Sequence, residues 1–163
     1  MTNLDTLWDE YTEELNKYEY RSLEDSRKEW RKILRSIDKD GWLFGIEDGG
    51  EVVGFLVIGE GNLCHPACNY MVLEAFVREG HRNKGLCSEA VKEFVEKYPG
   101  IYCLDVYDDN DKGLTFWRNL FDRLGYTETL FPYIEHGLNK DISDTYYFTP
   151  KIKTLTNRIN AES

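Results

Sequence analysis

The sequence predicts an α/β (α+β) fold in which a central mixed sheet is flanked by four helices, in the order αα-ββ-β-α-β-α-ββ. Apolar residues recur at helical spacing in four segments and at strand-like spacing in six others. Two of the helical segments each join one strand to the next, and such crossovers require parallel neighbours in the sheet. At 163 residues the chain suits one domain, which we assign to 1–153, followed by a polar tail at 154–163.

The first half of the chain is predicted to contain two helices and a hairpin. Thr2 or Asn3 can cap the first helix and Ser22 the second, because short polar side chains accept hydrogen bonds from the first free N–H groups. A hairpin follows, with strands near 42–46 and 52–58 joined by a glycine-rich turn. The apolar stripes of the two helices are Leu4, Leu7, Trp8, Tyr11, Leu15 and Tyr18, and Leu23, Trp30, Ile33, Leu34 and Ile37.

The second half of the chain alternates strands with helices. A helical pattern starts at Leu86 and is stopped by Pro99 and Gly100, and a second one is stopped by Gly125. The polar segment 136–144 is predicted to be a loop. Strands are predicted at 70–77, 101–107, 126–134 and 145–151. The apolar face of the last helix consists of Leu114, Trp117, Phe121 and Leu124.

The most informative stretch is the turn between the strand at 70–77 and the third helix. Arg82, Asn83, Lys84 and Gly85 form a basic turn, and the free N–H groups and positive dipole end of the helix point at it. Gly85 allows the backbone to approach a phosphate closely, and the two cations can add charge-assisted hydrogen bonds. The stretch predicts an anion cradle. A solvated basic turn before an ordinary helix is the alternative.

Residues 77–87, VREGHRNKGLC, resemble the acetyl-coenzyme A (acetyl-CoA) pyrophosphate loop of the GNAT family of N-acetyltransferases. That loop reads Gln/Arg-x-x-Gly-x-Gly/Ala and follows a strand that ends in Val. Arg82, Gly85 and Cys87 occupy the three pattern positions, and Cys87 departs from the usual Gly or Ala. The resemblance covers roughly residues 42–149.

A second block of the same family, Asn-x-x-Ala-x-x-Phe-Tyr-x-x-x-Gly-Phe, resembles the stretch that starts at Asn110. Gly113 stands where that block has Ala, Trp117 stands where it has Tyr, and about one extra helical turn separates Trp117 from Gly125. The family usually has a strand before the first helix. We find none here, because helical spacing starts at Leu4.

The resemblance implies a mostly antiparallel sheet and an acyltransferase that moves an acetyl group from the cosubstrate acetyl-CoA to a primary amine. The acceptor is expected to be a small cationic molecule, polyamine-like or aminoglycoside-like. Two alternatives stay open, a peptide or protein N-acetyltransferase and a catalytically inactive acyl-CoA-binding module. Val77 would pair with the cofactor through its backbone, and Asn110 would bind the cofactor near its pantetheine arm or only cap a helix. The implied cofactor-binding residues are Phe76, Val77, Arg82, Asn83, Lys84, Gly85, Leu86, Cys87, Ser88, Asn110 and Trp117.

Glu74 is the best candidate for the base that the reaction needs. A lysine-like amine has a pKa near 10.4, so its deprotonation at pH 7 costs about 4.6 kcal/mol. Strand alternation would place Glu74 on the same face as Tyr70, Val72 and Phe76, and related polyamine and aminoglycoside acetyltransferases often carry an acidic residue there. A structural pairing of Glu74 with a nearby Arg or Lys is the alternative role. Asp105 is the second candidate.

The proton donor for the leaving thiolate is harder to assign from the sequence. The family commonly uses the Tyr that aligns with Trp117, and an indole N–H does not titrate usefully. Tyr126 is therefore our candidate for the catalytic acid. Tyr107, water, or no donor at all remain alternatives, and Trp117 is equally expected to be a core aromatic residue.

Composition restricts the partners and the location of the protein. The net charge of −10 argues against nonspecific nucleic-acid binding and mildly favours cationic partners, although simple solubility would also explain it. The acidic N-terminus does not resemble a signal peptide, and no apolar run is long enough to span a membrane. We therefore predict a cytoplasmic protein without a membrane partner, whose four cysteines are free thiols.

Two further groups of residues allow several interpretations. Cys64, His65 and Cys68 suggest a metal cluster, but no matching distal ligand pair is found, so no metal is expected. His81 and His136 are expected at the surface. An aromatic set could line the acceptor cleft, lie in the sheet core, or form the contact of a homodimer. Its members are Phe131, Tyr133, Tyr146 and Tyr147.

Overall fold

The computed structural model describes residues 3–61, 68–129 and 142–151. The order of its elements is the predicted one. The helices are α1 Asn3–Leu15, α2 Leu23–Asp40, α3 Leu86–Lys97 and α4 Asp111–Arg123, with a short 3₁₀ turn at Glu79–His81. The strands are β1 Gly41–Asp48, β2 Glu51–Glu60, β3 Tyr70–Val77, β4 Tyr102–Tyr107, β5 Tyr126–Thr129 and β6 Ser143–Pro150.

The six strands form one sheet in the order β1-β2-β3-β4-β6-β5. The β3–β4 pair is parallel, and the other neighbouring pairs are antiparallel. The sheet is therefore mixed and mostly antiparallel, as predicted. β3 and β4 pair only where Tyr70–Val72 lies beside Tyr102–Leu104, a contact that we call the seam. Beyond the seam the two strands are not paired, and the unpaired part of β3 contains Glu74.

The two faces of the sheet carry separate apolar cores. α1 and α2 cover one face, where Trp8 and Trp30 pack against Phe55 and its neighbours. α3 and α4 cover the other face, where Phe94 and Phe121 belong to the larger core. Alternate residues of β2 point to the two faces, as expected for a strand that is buried on both sides.

A one-residue bulge in β3 reverses part of the predicted strand pattern. Val57 of β2 lies opposite Glu74 and Ile58 lies opposite Val72, so the intervening Leu73 has no partner on β2. Before the bulge Val72 packs in the core under α3, and after it Phe76 packs in the core under α1 and α2. Glu74 therefore shares its face with Phe76 as predicted. The prediction that it also shares a face with Tyr70 and Val72 is wrong, because the extra residue shifts the alternation.

Two predicted helix caps are present. The Ser22 hydroxyl accepts a hydrogen bond from the backbone N–H of Asp25 at 3.1 Å, at the start of α2. Asn110 Oδ1 accepts from the N–H of Gly113 at 3.0 Å, at the start of α4. Among the described residues, the first element is α1, which begins at Asn3, and no strand precedes it.

The cysteines differ from the prediction of four free thiols. Cys68 and Cys103 form a disulfide, and both residues are buried. Their spacing in sequence did not indicate the pair, because the crossover through α3 brings together residues that are 35 positions apart. Cys87 is free. Cys64 and His65 lie outside the described residues, as do positions 130–134 of the predicted fifth strand and the tail.

Two properties of the described residues concern possible ligands and membranes. No three His, Cys, Asp or Glu side chains within 3–61, 68–129 and 142–151 come together as a metal-binding group. Among the helices formed by these same segments, none combines the length and apolarity needed to cross a lipid bilayer.

Candidate active site

A cavity of about 620 Å³ opens where β3 and β4 diverge beyond the seam. α1 and the connection between α1 and α2 form its outer wall. Of the residues predicted from the sequence, the cavity brings together Glu74, Arg82, Asn110 and Trp117. The alternatives Asp105 and Tyr107 also line it.

Glu74 is held by a residue that the sequence did not single out. The Tyr11 hydroxyl on α1 donates a hydrogen bond of 2.5 Å to Glu74 Oε2. The two residues are 63 positions apart, so no local pattern indicates their contact. Among the described residues Glu74 forms no ion pair, which leaves the predicted structural pairing with an Arg or Lys without support.

The ionisation of Glu74 suits proton transfer near neutral pH. Burial raises the pKa of Glu74 to about 7, and this effect outweighs the hydrogen bond from Tyr11 and the charge of Arg21, which both lower it. The negative charges of Glu29 and Asp105 raise it further. A carboxyl with a pKa near the working pH can both accept and release a proton.

The predicted anion cradle is built mainly from backbone. Gly85 has φ of +76°, in the left-handed region, and an added Cβ there would have no atom within 4 Å. No side chain caps α3 at Gly85 within the described residues, so its first N–H groups face outward. Asn83 and Lys84 are exposed beside them, while Leu86 and Ser88 are partly buried in the first turn. Open space beside an uncapped helix N-terminus suits an anion such as a pyrophosphate group.

The two cations of the cradle are paired with carboxylates in this structure. Both Nη atoms of Arg82 donate to Glu14 on α1 at 2.7 Å, and Arg82 Nε donates to the Val77 carbonyl at 2.6 Å. Lys84 Nζ donates to Asp48 Oδ2 at 2.6 Å. The hydrogen bonds from His81 and Lys84 lower the pKa of Asp48. His81 is therefore a contact of the cradle and not only a surface residue.

The end of β3 offers the backbone N–H of Val77 to a ligand, whereas the Val77 carbonyl already accepts the hydrogen bond from Arg82 Nε. The N–H of Arg78 donates to the Val53 carbonyl of β2. Because backbone groups alternate in direction along a strand, those of Val77 point away from β2, toward the space that β4 has left. This orientation fits the predicted pairing of Val77 with a cofactor. The Phe76 side chain is instead buried in the core under α1, with the Arg82 guanidinium 5.5 Å from its ring centroid.

The third position of the loop pattern, Cys87, is partly buried against the core under α3. Burial raises the pKa of Cys87 to about 12, so the thiol keeps its proton at neutral pH. A helix N-terminus alone would lower the pKa of this thiol, and the burial effect is the larger one here. The side chain therefore acts as a small packed group.

The candidate proton donors lie in different places. Tyr126 is buried in the core under α4 against Tyr102 and Phe121, outside the cavity, so the structure does not bring it together with Glu74. The sequence could not show this, because β5 turns the face that carries Tyr126 toward α4. Tyr107 lines the cavity, and its hydroxyl donates to Glu19 at 3.1 Å.

The remaining candidates have structural contacts. Trp117 lines the cavity and also packs against Phe121, so both predicted roles are compatible with its position. Asp105 accepts a hydrogen bond of 2.5 Å from the Thr145 hydroxyl. Tyr147 is buried, and Arg118 lies over the ring of Tyr146. Phe131, Tyr133 and His136 lie outside the described residues.

Comparison with known proteins defines the class of enzyme. The model of the acetyltransferase (GNAT) family matches residues 2–126, and the chain therefore belongs to this family. It is an acyltransferase that acts with acetyl-CoA. The resemblance of the two sequence blocks to this family is thereby confirmed. No curated protein sequence matches the chain.

Solved structures share the fold at low sequence identity. An acetyltransferase from Thermus thermophilus is 22% identical with a TM-score of 0.60, covering 88% of this chain and 86% of that one. A structure described as histone acetyltransferase HPA2 and related acetyltransferase from Corynebacterium glutamicum is 16% identical. Its TM-score is 0.60, and the match covers 94% of this chain and 96% of that one. The PaiA N-acetyltransferase from Thermoplasma acidophilum, in complex with coenzyme A, is 16% identical with a TM-score of 0.56, covering 91% of each chain.

Proposed function

We propose that the protein acetylates the primary amine of a small cationic molecule, with Glu74 as the base. The observation that carries the proposal is a carboxyl group with a pKa of about 7 in the cavity, on the unpaired part of β3. Acetyl-CoA, which supplies the thioester, would be held by the backbone of the 82–88 turn and by the backbone N–H of Val77. These two sites are supported by the left-handed Gly85, the uncapped start of α3 and the backbone direction at Val77.

The proposed reaction begins with proton transfer. Ionised Glu74 takes a proton from the bound ammonium group, directly or through a water, and leaves a neutral amine. The amine nitrogen then attacks the thioester carbonyl carbon, so that a C–N bond forms and the C–S bond breaks. The acetylated amine loses its extra proton, and the thiolate leaves to be protonated. The net reaction converts an ammonium ion and a thioester into an amide, a thiol and one released proton.

An unpaired carboxylate in the cavity supports a cationic acceptor. Five carboxylates and four cationic side chains line the cavity, and two of the carboxylates, Glu14 and Glu19, already contact Arg82 and Arg21. Glu29 on α2 is partly buried and forms no hydrogen bond or ion pair with the described residues. A half-buried carboxylate without a partner favours a ligand that brings its own positive charge. The remaining two carboxylates are Glu74 and Asp105.

Of the two tyrosines considered as proton donors from the sequence, Tyr107 is the one that lies in the cavity. Tyr107 lines the cavity, and burial raises its pKa to about 12, so it keeps its proton at neutral pH. Its role is optional, because a thiolate with a pKa of about 8.5 leaves without help. We therefore replace Tyr126 by Tyr107 as the proposed donor.

A panel of amines tests the proposal. The purified protein is incubated with acetyl-CoA and monoamines, diamines, polyamines, aminoglycosides and lysine peptides, and released thiol and acetylated product are measured. We expect turnover of small cationic amines. Glu74→Gln should lower kcat/KM roughly 10²–10⁴-fold, as is typical of a lost general base, with little change in acetyl-CoA affinity. Glu93→Gln, at an exposed position of α3, is the matched control and should retain activity.

Three other outcomes would each contradict one part of the proposal. Turnover of peptides alone would replace the small amine by a peptide acceptor. Acetyl-CoA binding without turnover of any amine would indicate a binding module. Full activity of Glu74→Gln with an unchanged pH profile would remove Glu74 from the mechanism and make Asp105 or bound water the next candidate.

A further inference from the structure

We infer that Tyr11 of α1 is a positioning residue for acetyl transfer, whose hydroxyl fixes the carboxylate of Glu74 so that one oxygen is presented to the acceptor amine. The inference rests on the proposed role of Glu74 as the base. The sequence indicated only that Tyr11 belongs to the apolar stripe of the first helix.

The position of the Tyr11 hydroxyl is set by packing. Its ring lies in an aromatic cluster, with centroids 5.5 Å from Trp8, 5.6 Å from Phe55 and 5.4 Å from Phe76. α1 is tied to α2 next to this cluster, because Trp8 Nε1 donates to the carbonyl and hydroxyl oxygens of Ser26 at 3.0 Å each. Little freedom remains for the Tyr11 ring to turn away from Glu74.

The hydrogen bond distinguishes the two oxygens of Glu74. Oε2 accepts from the Tyr11 hydroxyl at 2.5 Å, whereas Oε1 has no hydrogen bond to any described residue. An oxygen that already accepts a strong hydrogen bond is a poorer proton acceptor than its free neighbour. Oε1 is therefore the atom that would receive the proton of the amine.

The same bond affects when Glu74 is ionised. Burial raises the pKa of Glu74, and the Tyr11 hydrogen bond lowers it because the phenol donates to the charged form. Tyr11 itself stays protonated, since burial and the Glu74 charge raise its pKa well above 10. Loss of the hydroxyl would raise the pKa of Glu74, and a higher pH would then be needed to form the active carboxylate. The titratable or charged groups that face this pair are Arg21 from the α1–α2 connection, Glu14 from α1, Glu29 from α2, and Asp105 and Tyr107 from β4.

The test is the pH profile of kcat/KM for Tyr11→Phe, which keeps the ring and removes the hydroxyl. In the wild-type enzyme kcat/KM should rise with pH, and the midpoint of this rise, which we call the limb, should lie near pH 7. In Tyr11→Phe this limb should move up by about one pH unit, with roughly a tenfold loss of kcat/KM below the limb and a smaller loss above it. The KM for acetyl-CoA should stay the same. Tyr98→Phe, directly after α3 and outside the cavity, is the matched control and should leave the limb in place.

The outcomes separate this inference from the proposed function. If Glu74→Gln abolishes the limb and folded Tyr11→Phe keeps the limb at its wild-type pH, Tyr11 has no positioning role while Glu74 remains the base. If Glu74→Gln leaves the limb unchanged, the proposed function fails first. A uniform loss of rate in Tyr11→Phe at every pH would assign the tyrosine to packing alone and overturn the inference.

Discussion

The proposed cofactor side and the proposed acceptor side of the site are built in different ways. On the cofactor side, the turn at 82–88 presents backbone N–H groups at the start of α3, and its shape depends on one left-handed glycine, Gly85. On the proposed acceptor side, the groups that we assign roles are side chains from distant parts of the chain, such as Tyr11 and Glu74, which are 63 positions apart. One side is therefore defined by local conformation and the other by tertiary packing.

The two sides should therefore respond to different changes. A backbone cradle keeps its shape when a side chain is removed, whereas a residue that disfavours its conformation strains the cradle itself. A side-chain site loses function when one atom is removed, even if the fold is unchanged. Both sides share β3, so a change in that strand should affect them together.

The largest effect is expected at Gly54 of β2, whose backbone pairs with Val77. A Cβ at Gly54 would overlap with the Phe76 carbonyl oxygen, a backbone atom that cannot move without separating β2 from β3. Gly54→Ala should lower the free energy of unfolding by about 3 kcal/mol and impair both acetyl-CoA binding and turnover. Urea denaturation and calorimetry measure the two effects.

The matched control for this change is Gly45→Ala in β1. A Cβ there would lie 3.2 Å from Val52 Cγ1, the end of a side chain that can shift. We expect nearly wild-type stability and binding for this variant. Equal stability of the two alanine variants, or a loss confined to one side of the cavity, would break the idea that β3 supports both sides.

An intermediate effect is expected from the cations of the cradle. Arg82→Ala combined with Lys84→Ala should lower acetyl-CoA affinity by about 1–3 kcal/mol, the scale of lost charged hydrogen bonds, while the backbone cradle remains. Titration calorimetry on the folded double variant measures this. Unchanged affinity would show that the backbone alone binds the pyrophosphate.

Glu14→Gln sharpens this prediction. Because Glu14 holds both Nη atoms of Arg82, removal of its charge should free the guanidinium for phosphate and tighten acetyl-CoA binding. Weaker binding of acetyl-CoA in this variant would mean that the ion pair with Glu14 holds Arg82 in the position in which it stabilises the loop.

The smallest effect is expected from a pair of glycines in the loop region. Cβ atoms at Gly80 and Gly85 would both meet open space, and of the two only Gly85 has a positive φ. Gly85→Ala should therefore cost about 1–2 kcal/mol, shared between stability and acetyl-CoA affinity, whereas Gly80→Ala should be neutral or slightly stabilising. Thermal unfolding with and without acetyl-CoA measures both. Equal changes of stability and acetyl-CoA affinity in the two variants would show that the left-handed conformation of Gly85 has no special role.

Local patterns predicted much of this molecule. The order of elements, the caps at Ser22 and Asn110 and the turn at Gly85 each depend on neighbouring residues, so they could be read from the sequence. Glu74 was selected by its position before Val77. Its presence in the cavity agrees with that choice, and its role as the base stays a proposal.

The remaining features depend on long-range geometry. The bulge at Leu73 has no marker such as Gly or Pro, yet it decides which face receives Glu74. The bonds from α1 to Glu74, Arg78 and Arg82 join residues 63 to 68 positions apart, so helical spacing showed only an apolar stripe. The burial of Tyr126 likewise follows from the packing of β5 beneath α4.

The seam also has a consequence for how the chain folds. The strands β1, β2 and β3 form one local unit within residues 41–77, and β4, β5 and β6 form another within residues 102–150. Within the first unit β1 and β2 match eight residue pairs, whereas the seam between the units matches three. Closing the seam requires the chain to order the crossover through α3, and few sheet hydrogen bonds offset that entropy. The divergence of β3 and β4 leaves room for ligands. It also lies at the boundary where the two units form few sheet hydrogen bonds with each other when they pair.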